Sequence, residues 1–406
     1  MPDGMDVNER TSTAVQLLLF ETEPTDPTGR KRLTNAVGLY DLAPRFVYAS
    51  GDSTEIRPVG SKDYRSVKRE FEFDGKIYSL SLMPALVEKR IAGDSPEEGG
   101  EPRPRRVEVV AFPGDREQIV EEVVRRLATD RARLALDDGD NVQLRFSLHE
   151  IKRELKRVKH SLSNREIKEA LLILSRATIV IERKGKSGGA LLNSSAFPVL
   201  AIKGPGMAMD EGDDDQEADN DVTYLQFNPL VAQAIRKLEF RSLSYELLMR
   251  LKNPISRWLY KRLSLTYADA SGVSPVTISA KDIVANSGMN EWSRWRDTLR
   301  AVSDAVDLLV KEGVVSAEKE PEMNGRKYVD ILFRLYPTES FLEQLRSAGR
   351  LVEENQRTFR ELAGAGSPGD GFARIDDATA ATARRRRRLA AEKQGVLAID
   401  GKRPAG

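Results

Sequence analysis

Gly185-Lys186-Ser187, within "IERKGKSGGA" at 181–190, carries the residue types that wrap phosphate in nucleotide-binding loops. Such a loop needs a further glycine five positions earlier, so that backbone can curl around the phosphate, and a helix N-terminus just after the serine to face it. Val180 stands at the glycine position, and the residues after Ser187 read as a strand, so this is not a nucleotide loop. Two readings remain: a basic hairpin tip that rests on nucleic-acid phosphates, or a solvated turn. Other chemistry is sparse. The 406 residues include no cysteine and only two histidines, His149 and His160. That removes disulfides, thiolate metal sites and a cysteine nucleophile. In "HEIKR" at 149–153, Arg153 occupies the place of the second histidine of a zinc-protease helix. "DDGD" at 137–140 reads as a turn, and the paired histidines of rolling-circle nicking proteins are missing. The expectation is a protein that is not an enzyme, with no cofactor and no metal.

Charge is more informative than its total. The net charge is +1, but residues 141–190 hold twelve Lys or Arg against five Glu, whereas "DEGDDDQEADND" at 210–221 holds eight acids and no base. Such segregation points to a basic face with a polyanionic partner. No apolar run reaches the ~18 residues of a membrane span, and the acidic start of the chain lacks the basic region of a signal peptide. A soluble, cytoplasmic protein is expected.

The elements that must position the basic residues follow from periodicity. "KREFEFDGKIYSLSLMPALVEKR" at 68–90 alternates apolar and polar residues around Asp74-Gly75, the signature of a hairpin with a type I′ turn. "DREQIVEEVVRRLATDRAR" at 115–133 reads as an amphipathic helix capped at Asp115. The span 141–203 reads as strand, helix, turn, helix, strand, basic tip, strand. Its second helix opens with Ser163-Asn164-Arg165-Glu166, a capping box, and then buries Ile167, Ala170, Leu171 and Leu174 on one face. A similar order recurs after the acidic stretch: helices, a short helix ending at Gly288, a long helix from Asn290 to Glu312 with a Trp292–Leu309 apolar stripe, and a closing hairpin. The expected fold class is α+β and helix-rich: two winged-helix domains joined by an acidic flexible linker, with disordered termini. The boundaries read as 1–60 for an extended arm, 61–203 for the first domain, 204–221 for the linker, 222–345 for the second domain, and 346–406 for a helical extension and basic tail containing Arg384 to Arg388.

A helix-turn-helix presents the start of its second helix to base edges and its remaining cations to phosphate. On that basis Asn164, Arg165 and Lys168 in the first domain, and Ser293, Arg294, Arg296 and Arg300 in the second, are the candidate base contacts. Lys152, Arg153, Lys156, Arg157, Lys159, Lys184, Lys186, Arg326 and Lys327 are the candidate phosphate contacts. The expected partner is double-stranded DNA.

Two stretches carry a family likeness. "REFEFDGKIYSLSLMPALV" with "VVAFPGDREQIVEEVVRRLA" resembles the N-terminal part of RepA-type plasmid replication initiators, and "SYELLMRLKNPISRWLYKRLSLTYA" with "TISAKDIVANSGM" resembles their second winged helix. The resemblance covers about 68 to 345. It implies binding to repeated sites at a plasmid origin, opening of adjacent AT-rich DNA, recruitment of a host initiator and replicative helicase in a bacterial cytoplasm, and a homodimer that represses its own gene. A regulator or partition adaptor built from the same modules, without strand opening, is the alternative.

Overall fold

The computed structural model describes residues 33–48, 57–58, 66–91, 105–128, 134–136, 141–183, 191–202, 222–237, 239–267, 274–325 and 327–363. Strand β1 (Leu33–Ala36) leads into the short helix α1 (Gly38–Leu42). After β2 (Arg57–Pro58) comes the hairpin β3 (Val67–Phe73) and β4 (Lys76–Met83). Its turn is the expected one: Asp74 and Gly75 both take positive φ, at 53° and 65°. Pro84 then breaks the strand, and β5 (Ala85–Ile91) pairs with β6 (Arg105–Ala111) in a separate sheet.

Helix α2 (Asp115–Leu127) starts one residue earlier in its capping than the sequence suggests. Gly114 is the N-cap, and its N–H donates to the Glu117 carboxylate at 2.8 Å. Strands β7 (Leu134–Leu136) and β8 (Val142–Ser147), helices α3 (Leu148–Arg157) and α4 (Asn164–Arg176), and strands β9 (Thr178–Arg183), β10 (Leu191–Ser194) and β11 (Val199–Ala201) follow. The elements from β8 to β10 keep the expected order, while β7 was not expected and the single strand expected after the basic tip is divided into β10 and β11, which lie in different sheets. The remaining elements are β12 (Val222–Gln226), α5 (Pro229–Lys237), β13 (Arg241–Ser244), α6 (Tyr245–Arg250), α7 (Pro254–Thr266), β14 (Val276–Ser279), α8 (Ala280–Ser287), α9 (Trp295–Lys311), β15 (Val315–Asn324), β16 (Lys327–Pro337) and α10 (Glu339–Ala363). The mixed α and β content agrees with the expected α+β class.

Among the described residues the strands pair antiparallel, and an isolated parallel bridge joins Tyr48 to Met289. The hairpin β9–β10 is widened by β4 and β3 in the order β10-β9-β4-β3, β8 lies in the order β11-β12-β8-β7, and the last hairpin is joined by β14 in the order β14-β16-β15. One core gathers α2, α3, α4, β4, β8, β9, β12 and α5 around Val120, Leu144, Ile167, Leu171 and Ile181. A second gathers α7, α8, α9, the β14–β16 sheet and the start of α10 around Leu259, Ile283, Val302, Leu309 and Phe333. The order helix, turn, helix, hairpin thus occurs twice, as α3-α4-β9-β10 and α8-α9-β15-β16.

The pairings correct three boundaries. Residues 33–48 are not an extended arm: β1 pairs with β13, and Leu39, Tyr40, Phe46 and Tyr48 are buried in the first core. Strand β12 does not open the second domain; it pairs with β8 and β11, and α5 packs in the first core as well, so that unit extends to about Phe240. For the same reason the acidic stretch does not join two domains. Ala201 of β11 lies opposite Tyr224 of β12, so the stretch connects two neighbouring strands of one sheet. Residues 1–32, the acidic residues 204–221 themselves and the tail with Arg384–Arg388 lie outside the described residues.

Helix α2 is buried on its charged side as well as its apolar one, which the amphipathic pattern did not suggest. Asp41 of α1 accepts from Arg125 of α2 at 2.5 Å and from Lys261 of α7 at 2.8 Å, while its second oxygen accepts from the Val37 N–H at 2.6 Å. Arg45 completes the cluster, 3.5 Å from Asp41 and paired with Glu121, and Lys261 also meets Glu122. All of these side chains are 4% exposed or less. Burial alone would raise the Asp41 carboxyl, but Arg125, Lys261 and Arg45 hold it well below the usual range. A carboxylate depressed in this way contributes its full stability above the unfolded value near 3.9 and loses it as pH falls below that. Asp41→Asn removes the anion shared by three buried cations, of which Arg45 and Lys261 keep Glu121 and Glu122, and is expected to lower the unfolding free energy by about 3–5 kcal/mol. Urea unfolding from pH 7 down to 2 should also show a weaker loss of stability below pH ~4 in the variant than in the parent.

Candidate nucleic-acid interface

Each helix pair is held by local chemistry that the sequence announces. Helix α3 opens on a capping box in which the Ser147 N–H donates to Glu150 at 2.8 Å and the Glu150 N–H donates to the Ser147 hydroxyl at 3.2 Å. It ends with Lys159 at φ 62° and the His160 N–H donating to the Leu155 carbonyl at 2.9 Å, a left-handed cap that turns the chain toward α4. Ser163 and Glu166 cap α4 reciprocally, at 2.7 and 3.3 Å, and the Ser163 N–H and hydroxyl, both donating to the Glu166 carboxylate, hold it below its ordinary value. A cap of this kind is worth about 1 kcal/mol.

The candidate residues separate by environment. Arg165, one residue into α4, is exposed, and Lys168 is half-buried on the same turns. Asn164 is half-buried with its Oδ1 enclosed and unpartnered, so bidentate pairing with an adenine edge would require that side chain to turn outward. Glu169, which the helical pattern places off the core face, is buried and ion-paired to Arg116 of α2 at 3.1 Å. On α3, Arg153 and Lys156 project to solvent, as does Lys159 in the turn, and Lys152 is half-buried and engaged with the protein. Arg157 differs: it pairs with Glu154 at 2.7 Å and Glu246 of α6 at 2.6 Å, and stacks over the Tyr245 ring. Lys184 and Lys186 fall outside the described residues, in the segment of the chain between Arg183 and Leu191.

In the second unit the expected long helix begins at Trp295 instead of Asn290. Residues 290–294 form a turn, closed where the Trp292 N–H donates to the Thr298 hydroxyl at 2.9 Å. Ser293 and Arg294 therefore stand on the turn before α9, and Arg296 and Arg300 on its first turns; all four are exposed, with Arg300 3.5 Å from Asp297. Of the apolar stripe, Leu299, Val302, Val306 and Leu309 are core, and Trp295 is half-buried with its indole N–H on the Val329 carbonyl at 2.9 Å. Lys327 is exposed at the tip of the β15–β16 hairpin; Arg326 is outside the described residues. This hairpin is charge-balanced, with Glu320 facing Arg334 at 3.1 Å and Lys319 on Asp307 at 2.6 Å. Among the described residues no cluster of three acids or histidines is placed to hold a metal, and no helix is long and apolar enough to cross a membrane.

No protein-family profile and no curated protein matches the chain. Two crystal structures of RctB domains 2 and 3 match at 10% identity over 74% of this chain and 96% of that one (TM-score 0.40), and at 9% over 76% and 99% (TM-score 0.41). The Pi initiator protein in complex with iteron DNA matches at 17% identity over 55% and 94% (TM-score 0.36).

Three features of the interface had no sequence signal: the pairing of Arg157 with Glu246, the seat of His160 on the Met249 carbonyl at 3.0 Å, and the hold of Arg69 on the turn after α8. All join residues more than 80 positions apart. Arg157 and Lys156, adjacent and chemically alike in sequence, are therefore expected to behave differently. Arg157→Ala should cost about 1 kcal/mol in urea unfolding and leave the salt dependence of DNA binding unchanged. Lys156→Ala should leave stability within ~0.5 kcal/mol of the parent and flatten the slope of log affinity against log salt by about 0.9.

Proposed function

We propose that this protein is a sequence-specific double-stranded DNA-binding protein that initiates replication at repeated sites of a plasmid origin, reading DNA through two winged helices. The observation that carries the reading is the repeated order of helix, turn, helix and hairpin, in which each second helix or its approach presents exposed arginines: Arg165 in one unit, Arg294, Arg296 and Arg300 in the other. Arginine forks fit the O6 and N7 edge of guanine, and a helix start is the part that reaches base edges in such folds. Arg153, Lys156 and Lys159 flank the first of these positions as solvent-facing cations suited to phosphate. The family resemblance supplies the setting: origin opening next to the bound sites, recruitment of a host initiator and helicase, a dimer that represses its own gene, and a bacterial cytoplasm. These belong to the proposal, as does the absence of catalysis.

Footprinting of the purified protein on the DNA that flanks its own gene tests the reading. Protection of several direct repeats beside an AT-rich segment is expected, with Arg165→Ala losing about 1–3 kcal/mol of discrimination at one base pair and little affinity for random DNA. Protection of a single inverted repeat over a promoter would instead mark a regulator. Equal loss of affinity on specific and random DNA in Arg165→Ala would remove α4 from its assigned role, and nicking of supercoiled plasmid by the protein with Mg²⁺ would overturn the non-enzymatic reading.

A further inference from the structure

Arg69 projects from β3 of the first unit into the turn between α8 and α9 of the second. Its guanidinium donates to four neutral oxygens: the carbonyls of Pro44 at 2.8 Å, Phe46 at 2.7 Å and Gly288 at 2.9 Å, and the Asn290 side chain at 3.1 Å. Burial pushes this group down to about 10, with the Tyr48 phenol opposing the shift. Among the described residues no carboxylate pairs with it, so the contact depends on the geometry of the fork and not on net charge. Backbone bonds run alongside. The Tyr48 N–H donates to the Gly288 carbonyl at 3.3 Å, and the Asn290 N–H donates to the Tyr48 carbonyl at 3.1 Å. The approach is close enough to exclude a side chain at Gly288, which sits at φ +88° with the Phe46 carbonyl oxygen 2.4 Å from where a Cβ would lie. Residues 44–48 are thus clamped between the first unit and the approach to α9, four residues before Arg294.

We propose that Arg69 is a positioning residue for DNA recognition: by holding the Gly288–Asn290 turn against residues 44–48, it fixes the separation and helical phase at which the α4 and α9 ends meet the duplex. The inference rests on the DNA-reading proposal above. It gives the protein a specificity beyond the identity of individual bases, namely a preferred distance between two half-sites. The acidic stretch is not the connection across this junction, because the strands on either side of it, β11 and β12, pair with each other in the first unit. A duplex turns once per ~10–10.5 bp, so a 5-bp insertion between half-sites carries one of them to the opposite face. A clamped protein then reaches only one half-site, whereas a hinged one accommodates the change.

The test uses full-length protein and duplexes selected by it from a random-sequence pool. The half-sites are defined by footprinting, and variants of the duplex carry 0 to 10 inserted base pairs. The parent protein is expected to lose about tenfold or more in affinity at 5 bp and to recover part of it near 10 bp. Arg69→Ala should flatten this profile while binding an isolated half-site as the parent does. Arg69→Lys should flatten it nearly as far, since an ammonium cannot reproduce the fork. Asn290→Ala, which removes a single exposed bond, serves where Arg69→Ala folds poorly and is expected to broaden the spacing optimum at unchanged melting temperature. Variants with the parent's spacing profile overturn the inference, as does a parent indifferent to spacing on a site it binds specifically. A parent that selects no sequence overturns the DNA-reading proposal itself, and this inference with it.

Discussion

The carboxylate of Asp41 is the point on which the two halves of the molecule meet. It sits on a five-residue helix and is bound by cations from α2 and α7, elements that belong to different cores. Taking such charges out of water costs several kcal/mol per ion, and their mutual attraction repays this only when geometry is good and the remaining lone pairs are occupied. Here both Asp41 oxygens are in use. Arg257 of α7 is likewise fully enclosed, with Gln118 at 2.9 Å, the Leu251 carbonyl at 2.8 Å and Asp115 as partners. An apolar seam of the same size would hold the halves at least as tightly but would tolerate sliding. A set of directional bonds among buried charges tolerates very few arrangements.

That constraint explains which parts of the structure were legible in the sequence. The Asp74-Gly75 hairpin, the capping box at Ser163, the helix end at Gly288 and the buried stripe of α4 all follow from interactions within a few residues, and each was readable from letters alone. Residues 33–48 were not. "LTNAVGLYDLAPRFVY" has neither a helical nor a strand period because its order comes from outside: β13 for Leu33–Ala36, α2 and α7 for Asp41 and Arg45, Arg69 for Pro44 and Phe46. Helix α2 misled in the opposite direction. Its Glu and Arg residues read as a wet face, yet they are the inner face of a charged interface, and single-sequence periodicity does not separate the two.

The candidate interface shows the same division. The positions of Arg165 and Arg153 followed from the pattern, since a capped helix with one buried face must point its other residues outward. Whether a given cation is available for a polyanion depends on tertiary partners, and this separates Arg157 from Lys156 and Lys319 from Lys327. The two units also differ in charge economy. The first exposes cations along α3 and α4, while the hairpin of the second balances Lys319 and Arg334 with acids. Exposed positive charge is thus weighted toward the first unit, while in the second it is concentrated in the arginines around the start of α9.

The acidic stretch acquires a different meaning in this fold. As a tether between domains its length would set how far apart two recognition helices range, and each change in length would alter their effective concentration on DNA. As a connection between β11 and β12 it has no such authority, because its ends are already hydrogen-bonded neighbours. Lengthening a loop whose ends are fixed costs only about 0.6 kcal/mol per doubling. The contacts between the two units run instead through the sixteen residues from 33 to 48, with Arg69 and Gly288 beside them.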